Sequence, residues 1–217
     1  MKEVKPSSKE EVMDIKTSDI DKKQIYKLMT STIVPRPIAW ISTVSKEGIY
    51  NLAPFSYFAG VSSSPPLVMV SIGSRENGEK KDTWKNIEET GEFVINIVTK
   101  ELLEKMNISS ISFDAEIDEF EKAGLTPEKS TIVKAPRVAE SPVSIECRKF
   151  EIINIGKMGI VFGEVLNFHI KDEILNEKGY VDTTKLEIVG RLGGANYCII
   201  SAENTFEVRR PDIGKKK

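Results

Sequence analysis

An antiparallel β-barrel, Greek-key-like and carrying a few short peripheral helices, is the fold class the sequence predicts. Roughly six or seven short segments are rich in β-branched and aromatic residues. Most are joined by tight Gly- or Ser-containing turns of the hairpin kind. Helical patterning is confined to short stretches and does not alternate with the strands, which argues against a parallel βαβ sheet.

In chain order, Ile33 to Val44 is dense in strand formers, and Arg36-Pro37 opens its core portion. Ser45-Lys-Glu-Gly48 is a hairpin turn leading to Ile49-Tyr50 and a second, antiparallel strand. Ser62-Ser-Ser-Pro-Pro66 breaks the chain, and Leu67 to Ile72 follows as an apolar strand closed by Gly73. Asp82 or Thr83 is placed to cap a helix from Trp84 to Thr90, with Trp84 and Ile87 on one face and Gly91 at its end. Glu88 and Glu89 on that helix read as solvent-facing. Phe93 to Val98 resumes as strand. Lys100 to Thr131 is a charged, helical excursion from the barrel, with helices around 101–106 and 118–123, the second stopped by Gly124. Val143–Ile155 and Ile160–Ile170 form a hairpin about Gly156 to Gly159, and Tyr197 to Ser201 is the last strand.

Composition narrows the function classes. The 217 residues are 40% hydrophobic and 29% charged, with a net charge of −2, the profile of a globular chain with a sizeable core. The near-neutral balance gives no reason to expect nucleic acid, and Arg209, Arg210 and Lys215 to Lys217 read as a solvated basic tail. Met1 to Glu10 lack the apolar core of a secretion signal, and no apolar run reaches membrane-spanning length. Cys147 and Cys198 stand alone, without a disulfide framework or paired metal-ligand spacing, and His169 is the sole histidine. A cytoplasmic protein without a metal site is the expectation. With one imidazole and no cysteine beside it, no nucleophile–base arrangement is apparent.

Chemistry is instead suggested by Asn51, Leu52, Ala53, Pro54, Phe55, Ser56, Tyr57 and Phe58. Pro54 kinks this segment and Ala53 is pushed to extended geometry, so main chain can approach a flat ligand. Asn51 and Ser56 offer polar groups to a ring edge, and Phe55, Tyr57 and Phe58 offer stacking surface. The same alternation also describes an ordinary edge strand with an aromatic face. Lys81, Asp82 and Thr83 place a cation and a hydroxyl at a helix N-terminus, where free N–H groups suit a phosphate; a capped surface helix looks the same. Asp82 would cap the helix or orient its neighbours. Arg36 and Pro37 place a guanidinium at a strand start, a phosphate or ring-edge ligand or else a surface ion pair. Ser71 and Ser74 could bond a ribityl chain or satisfy a turn, and Arg75 is a further phosphate candidate. Arg191-Leu-Gly-Gly-Ala-Asn-Tyr197 combines charge, permissive glycines and a phenol. It lacks the βαβ context of a Rossmann fingerprint, so Arg191 and Tyr197 are second-layer or interface candidates.

Taken in order, Arg36-Pro-Ile-Ala39, Asn51 to Ser56, Ser64-Pro-Pro66, Lys81-Asp-Thr83, Asn86-Ile87, Glu92 to Asn96, Gly124-Leu-Thr-Pro127, Gly163-Glu-Val165 and Arg191-Leu-Gly-Gly194 resemble the flavin reductase-like proteins, flavoredoxin included, whose fold is the FMN-binding split barrel. The resemblance spans 19–203, leaving 1–18 as an N-terminal extension and 204–217 as a tail. It implies a homodimer holding FMN near the subunit interface, with Arg36, Pro37, residues 51–58, Ser71, Ser74, Lys81, Asp82, Thr83 and Arg191 around the cofactor. It also implies NADH or NADPH as hydride donor, an unidentified electron acceptor, and no catalytic side chain beyond the flavin's own chemistry. A tightly FMN-loaded electron carrier and a non-catalytic flavin-binding module are the alternatives.

Overall fold

The computed structural model describes residues 12–211, so the expectations for the leader segment and for Lys215 to Lys217 lie outside the described residues. Helix α1 (Lys22–Thr32) comes first, closed at its N-terminus by a reciprocal capping box between Asp21 and Gln24. After it come β1 (Arg36–Pro37), β2 (Ala39–Val44), β3 (Tyr50–Phe55), β4 (Phe58–Ser63), β5 (Pro66–Gly73), α2 (Asp82–Thr90) and β6 (Glu92–Asn96). The excursion contributes α3 (Leu103–Ile108), α4 (Glu119–Ala123), β7 (Pro127–Glu128) and β8 (Arg137–Val138), before the long hairpin β9 (Val143–Ile155) and β10 (Met158–Ile170) and the closing pair β11 (Ile188–Arg191) and β12 (Tyr197–Ile200).

Seven strands form one antiparallel sheet in the order β3-β2-β6-β9-β10-β5-β4. Its two edge strands are consecutive in the chain and separated only by Ser56 and Tyr57. So short a link obliges the sheet to curl until its edges meet, and the Ser71 amide, donating to the Tyr57 carbonyl, carries the β4–β5 ladder into that link. The antiparallel barrel follows. The hairpin at Ser45 to Gly48 forms as expected, with Gly48 at φ 89°.

Strand alternation supplies two cores. Ala39, Ile41 and Phe55 face the barrel interior with Val70, Ile72, Trp84, Phe93, Ile95 and Val161. Ile38, Trp40 and Leu52 face the other way, under Met106, Phe120, Leu125 and Val189. β2 and β3 are therefore covered on both faces, which explains why Ile38 to Ile41 reads as a continuous apolar run and not an alternating one. A Cβ on Gly163 would lie 2.4 Å from Phe93 and one on Gly159 2.4 Å from Trp84, so the bulged β10 can pass these rings only with glycine there.

Several expectations change. β1 is not part of the main sheet; it pairs with β11 in a separate three-stranded sheet with β12. Helix α1, the exposed strand β4 and the short strands β7, β8 and β11 carry too little apolar periodicity to be read from sequence. The N-cap of α2 is Lys81, with no side-chain cap, rather than Asp82 or Thr83. Glu88 and Glu89 are solvent-facing and pair with Lys80 and Lys46.

Candidate functional site

A groove runs along the outside of β3, from the N-terminus of α2 to the turn after β11. Its larger end is a cavity of about 290 Å³ lined by Tyr26, Thr30, Arg36, Ile38, Pro54, Phe55, Ser56, Met106, Asn107, Ser110, Arg191, Leu192, Gly194 and Tyr197. Its polar end, about 140 Å³, is lined by Asn51, Ala53, Pro54, Arg75, Lys81, Asp82, Thr83, Ser109 to Phe113 and Glu119. Pro54 and Ser110 belong to both. The wall opposite β3 is the segment after α3, and two contacts pin it. The fully buried Trp40 indole donates to Ser109 Oγ at 2.9 Å, and the Arg75 guanidinium donates to the Phe113 carbonyl at 3.2 Å.

Charge concentrates at the polar end. Arg75 also pairs with Asp82, so these two charges offset each other. Lys81 Nζ lies 5.7 Å over the Phe55 ring centroid. Burial, and then the Arg75 charge, hold the Lys81 ammonium below the usual lysine range. Behind the groove lies a buried polar chain. The Glu119 carboxylate accepts from Asn51 Nδ2 at 3.0 Å and from the Leu52 amide at 2.9 Å. Asn51 Oδ1 accepts from the Thr83 hydroxyl at 2.7 Å and from Thr43 at 3.4 Å, and Asn86 donates to Thr43. Burial raises the Glu119 carboxyl to about 7, against the lowering effect of its hydrogen bonds and with the Asp82 charge adding to the rise. At the larger end the Arg191 guanidinium stacks 4.3 Å from the Tyr197 ring centroid and donates to the Gly194 carbonyl at 2.6 Å.

The model of the flavin reductase like domain matches residues 29–186, most of the chain and all of β1 to β10. The chain belongs to this family. A protein of Aquifex aeolicus with no assigned role is 46% identical over 185 residues, 85% of this chain and 94% of that one. Among solved structures, nitrilotriacetate monooxygenase component B from Bacillus cereus is 34% identical with a TM-score of 0.87, covering 92% of this chain and all of the other. The Pseudomonas fluorescens 2-nitrobenzoate 2-nitroreductase NbaA is 32% identical with a TM-score of 0.84, covering 94% and 99%.

In this flavin reductase-like chain the residues singled out from sequence divide. Arg36, Ala53, Pro54, Phe55, Ser56, Lys81, Asp82, Thr83, Arg75, Arg191 and Tyr197 line the groove. Asn51 reaches it too, but its amide is committed to Glu119 and Thr83. The Thr83 hydroxyl is directed to Asn51, and Asp82 pairs with Arg75 in place of capping α2. Arg36 is buried and is neither a surface ion pair nor a free phosphate ligand. It donates to the carbonyls of Thr30 at 2.6 Å, Ile33 at 3.1 Å and Leu192 at 3.0 Å, stapling α1 to β1 and the turn after β11. Tyr57 lies under that guanidinium, 6.0 Å from its centroid. Phe58 packs on the barrel core and Leu52 on the outer core. Pro37 is exposed and registers opposite Gly190. Ser74 Oγ donates to the Lys157 carbonyl, and neither Ser71 nor Ser74 lines the groove.

His169 bonds the wholly buried Glu146 at 2.5 Å. Glu146 also accepts from the amides of Thr131, Ile132 and Val133, so this histidine is structural and remote from the groove. Burial pushes the Cys147 thiol up, which leaves it unreactive. Tyr26, Thr30, the Met106 to Phe113 wall and Glu119 were not legible as site residues. The one usable signal for Glu119 was its position four residues before Ala123 on the same helix face.

Proposed function

We propose that this flavin reductase-like chain binds FMN along the groove and acts as an NAD(P)H-dependent flavin reductase. The observation that carries the reading is the groove's layout: a cationic helix N-terminus at one end and, at the other, a larger cavity of mixed polarity that brings together Tyr26, Phe55, Tyr197 and two arginines, the two joined by Pro54. That donor set fits a phosphorylated flavin. The orphan N–H groups of α2 and the ammonium of Lys81 would hold the phosphate. The extended main chain of Ala53 to Ser56 would lie along the flat ring system, with Arg191 bringing positive charge to that end. When bound, FMN would accept hydride from NADH or NADPH and release electrons to an acceptor.

The protein's own residues orient the ligand and keep water from one face; no side-chain nucleophile is called for. Likeness to a protein known as component B of a monooxygenase supports an acceptor that is a separate protein or free flavin. Exposed Tyr26, Met29, Ile33 and Val34, on and just after α1, whose Tyr26 lines the larger cavity, support a homodimer that covers this end. No helix among the described residues is long and apolar enough to cross a membrane, and two free thiols support a reducing cytoplasm. The test is an anaerobic visible spectrum of the protein with FMN before and after NADH and then NADPH. Bleaching faster than that of free FMN supports the reductase, and bound flavin that stays oxidised overturns it in favour of an electron carrier.

A further inference from the structure

We propose that Glu119 is a positioning residue whose proton, acting through the Asn51 amide, decides whether the Thr83 hydroxyl is held inside the fold or offered to an anion in the groove. The inference rests on the FMN reading above and adds a pH-linked control to it.

The argument is one of donor and acceptor counting along the buried chain. An ionised carboxyl has only acceptors. Glu119 accepts from the Leu52 amide with one oxygen and from Asn51 Nδ2 with the other. Asn51 must then present its oxygen to Thr83, and the single hydroxyl hydrogen of Thr83 is used there, at 2.7 Å. In that state Thr83 offers the groove no hydroxyl donor.

A proton on Glu119 reverses the order. The carboxyl keeps its bond from Leu52 and donates with its other oxygen to Asn51 Oδ1. The amide turns over, its two N–H bonds face Thr83 and Thr43, and the Thr83 hydrogen is released to rotate toward the helix N-terminus where a phosphate would sit. The proton comes from solvent, the carboxyl O–H is the one covalent bond made, and the Thr43 hydroxyl gives up its long 3.4 Å bond to Asn51 Oδ1 and accepts from the amide instead. The site is built for this exchange, because Asn51 and Thr83 are both buried and, among the described residues, their side chains bond only each other, Glu119 and Thr43. Glu119 is poised to change state near neutral pH. The ionisable groups facing it are Arg75, Lys81 and Asp82, which line the same cavity, with the Asp118 cap beside it on the chain. None of these is a histidine, so no neighbouring side chain has an ordinary titration near 7.

The test is the dissociation constant of FMN and of riboflavin, which lacks the phosphate, by flavin fluorescence between pH 5.5 and 8.5 for the wild type, Glu119→Gln and Thr83→Val. Glutamine reproduces the protonated pattern, since its amide can donate to Asn51. FMN affinity of the wild type is expected to fall roughly tenfold as pH rises through 7, the scale of one hydrogen bond to a charged group. Glu119→Gln is expected to hold the tight affinity across the range, apart from the ligand's own phosphate titration near pH 6. Thr83→Val is expected to bind FMN weakly throughout, with riboflavin unmoved in all three. The same pH profile in wild type and Glu119→Gln, with FMN still bound, overturns this inference alone. Absence of FMN binding at every pH overturns it together with the FMN reading. If Glu119→Gln does not fold, a Thr83→Val profile as steep as that of the wild type overturns it.

Discussion

Glutamine at position 119 should make the flavin-free protein more stable above pH 7 and leave it nearly unchanged near pH 4.5. In the fold the Glu119 carboxyl titrates at about 7, against 4.5 in the ordinary state, because burial penalises its charge more than its hydrogen bonds favour it. The folded state therefore holds the proton where the unfolded chain has lost it. By linkage, stability falls as pH rises from about 4.5, and the whole cost is present above about 7. At about 1.4 kcal/mol per tenfold change in proton affinity, the cost is on the order of 3 kcal/mol. Glutamine carries no charge and can keep both partners, accepting from Leu52 and donating to Asn51. Urea unfolding of wild type and Glu119→Gln at pH 4.5, 6, 7 and 8 reads the effect directly. The stability difference should grow by about 3 kcal/mol over that range in favour of the variant. A difference constant to within about 1 kcal/mol would refute the reasoning, because it would mean that Glu119 ionises in the fold as readily as in water.

Glu146→Ala should behave in the opposite sense. Although burial opposes its charge, bonds from His169 and the amides of Thr131, Val133 and Ile132 together bring the Glu146 carboxyl down to about 2. Its stabilisation is thus present above about pH 4.5 and lost as pH falls toward 2. Alanine should cost at least about 2 kcal/mol at pH 7, from the stranded loop amides, and speed hydrogen exchange at Thr131 to Val133; a loss below about 0.5 kcal/mol would contradict the assignment. Arg36→Lys should destabilise by about 2 kcal/mol or more, since one ammonium cannot serve the carbonyls of Thr30, Ile33 and Leu192 together. It should also open α1 to proteolysis, and unchanged protection would count against the staple.

The main sheet was legible because its strands announce themselves: Leu67 to Ile72, Phe93 to Asn96 and the β9–β10 hairpin have the apolar runs and turn glycines that a barrel wall requires. The excursion's helices at 103–108 and 119–123 also fall where the charged pattern placed them. Strand β4 escaped notice because Phe58 to Ser63 is largely exposed and its pairing comes from β5 rather than from its own pattern. In the site, residue types located the groove while their hydrogen bonds determined their roles. Arg36 looked like a ligand because its carbonyl partners lie in two segments, the end of α1 and the turn after β11, and sequence spacing does not bring the second to it. Thr83 and Asn51 looked free because they bond each other across more than thirty residues, and Glu119, the carboxylate that fixes Asn51, is supplied by a helix further on still. Lys81 is the residue whose position and freedom both agree with the reading from sequence.

Lys81 is accordingly where the account is most exposed. The deciding measurement is the affinity of the flavin-free wild type and Lys81→Ala for FMN and for riboflavin at pH 7, followed by quenching of flavin fluorescence. The account predicts that FMN binds and that the substitution weakens it roughly tenfold, the scale of one charge-assisted contact to phosphate, while riboflavin binding and the unfolding midpoint stay as they were. Equal FMN affinity in the two proteins, or an equal loss for FMN and riboflavin, would contradict the placement of a flavin phosphate at the N-terminus of α2.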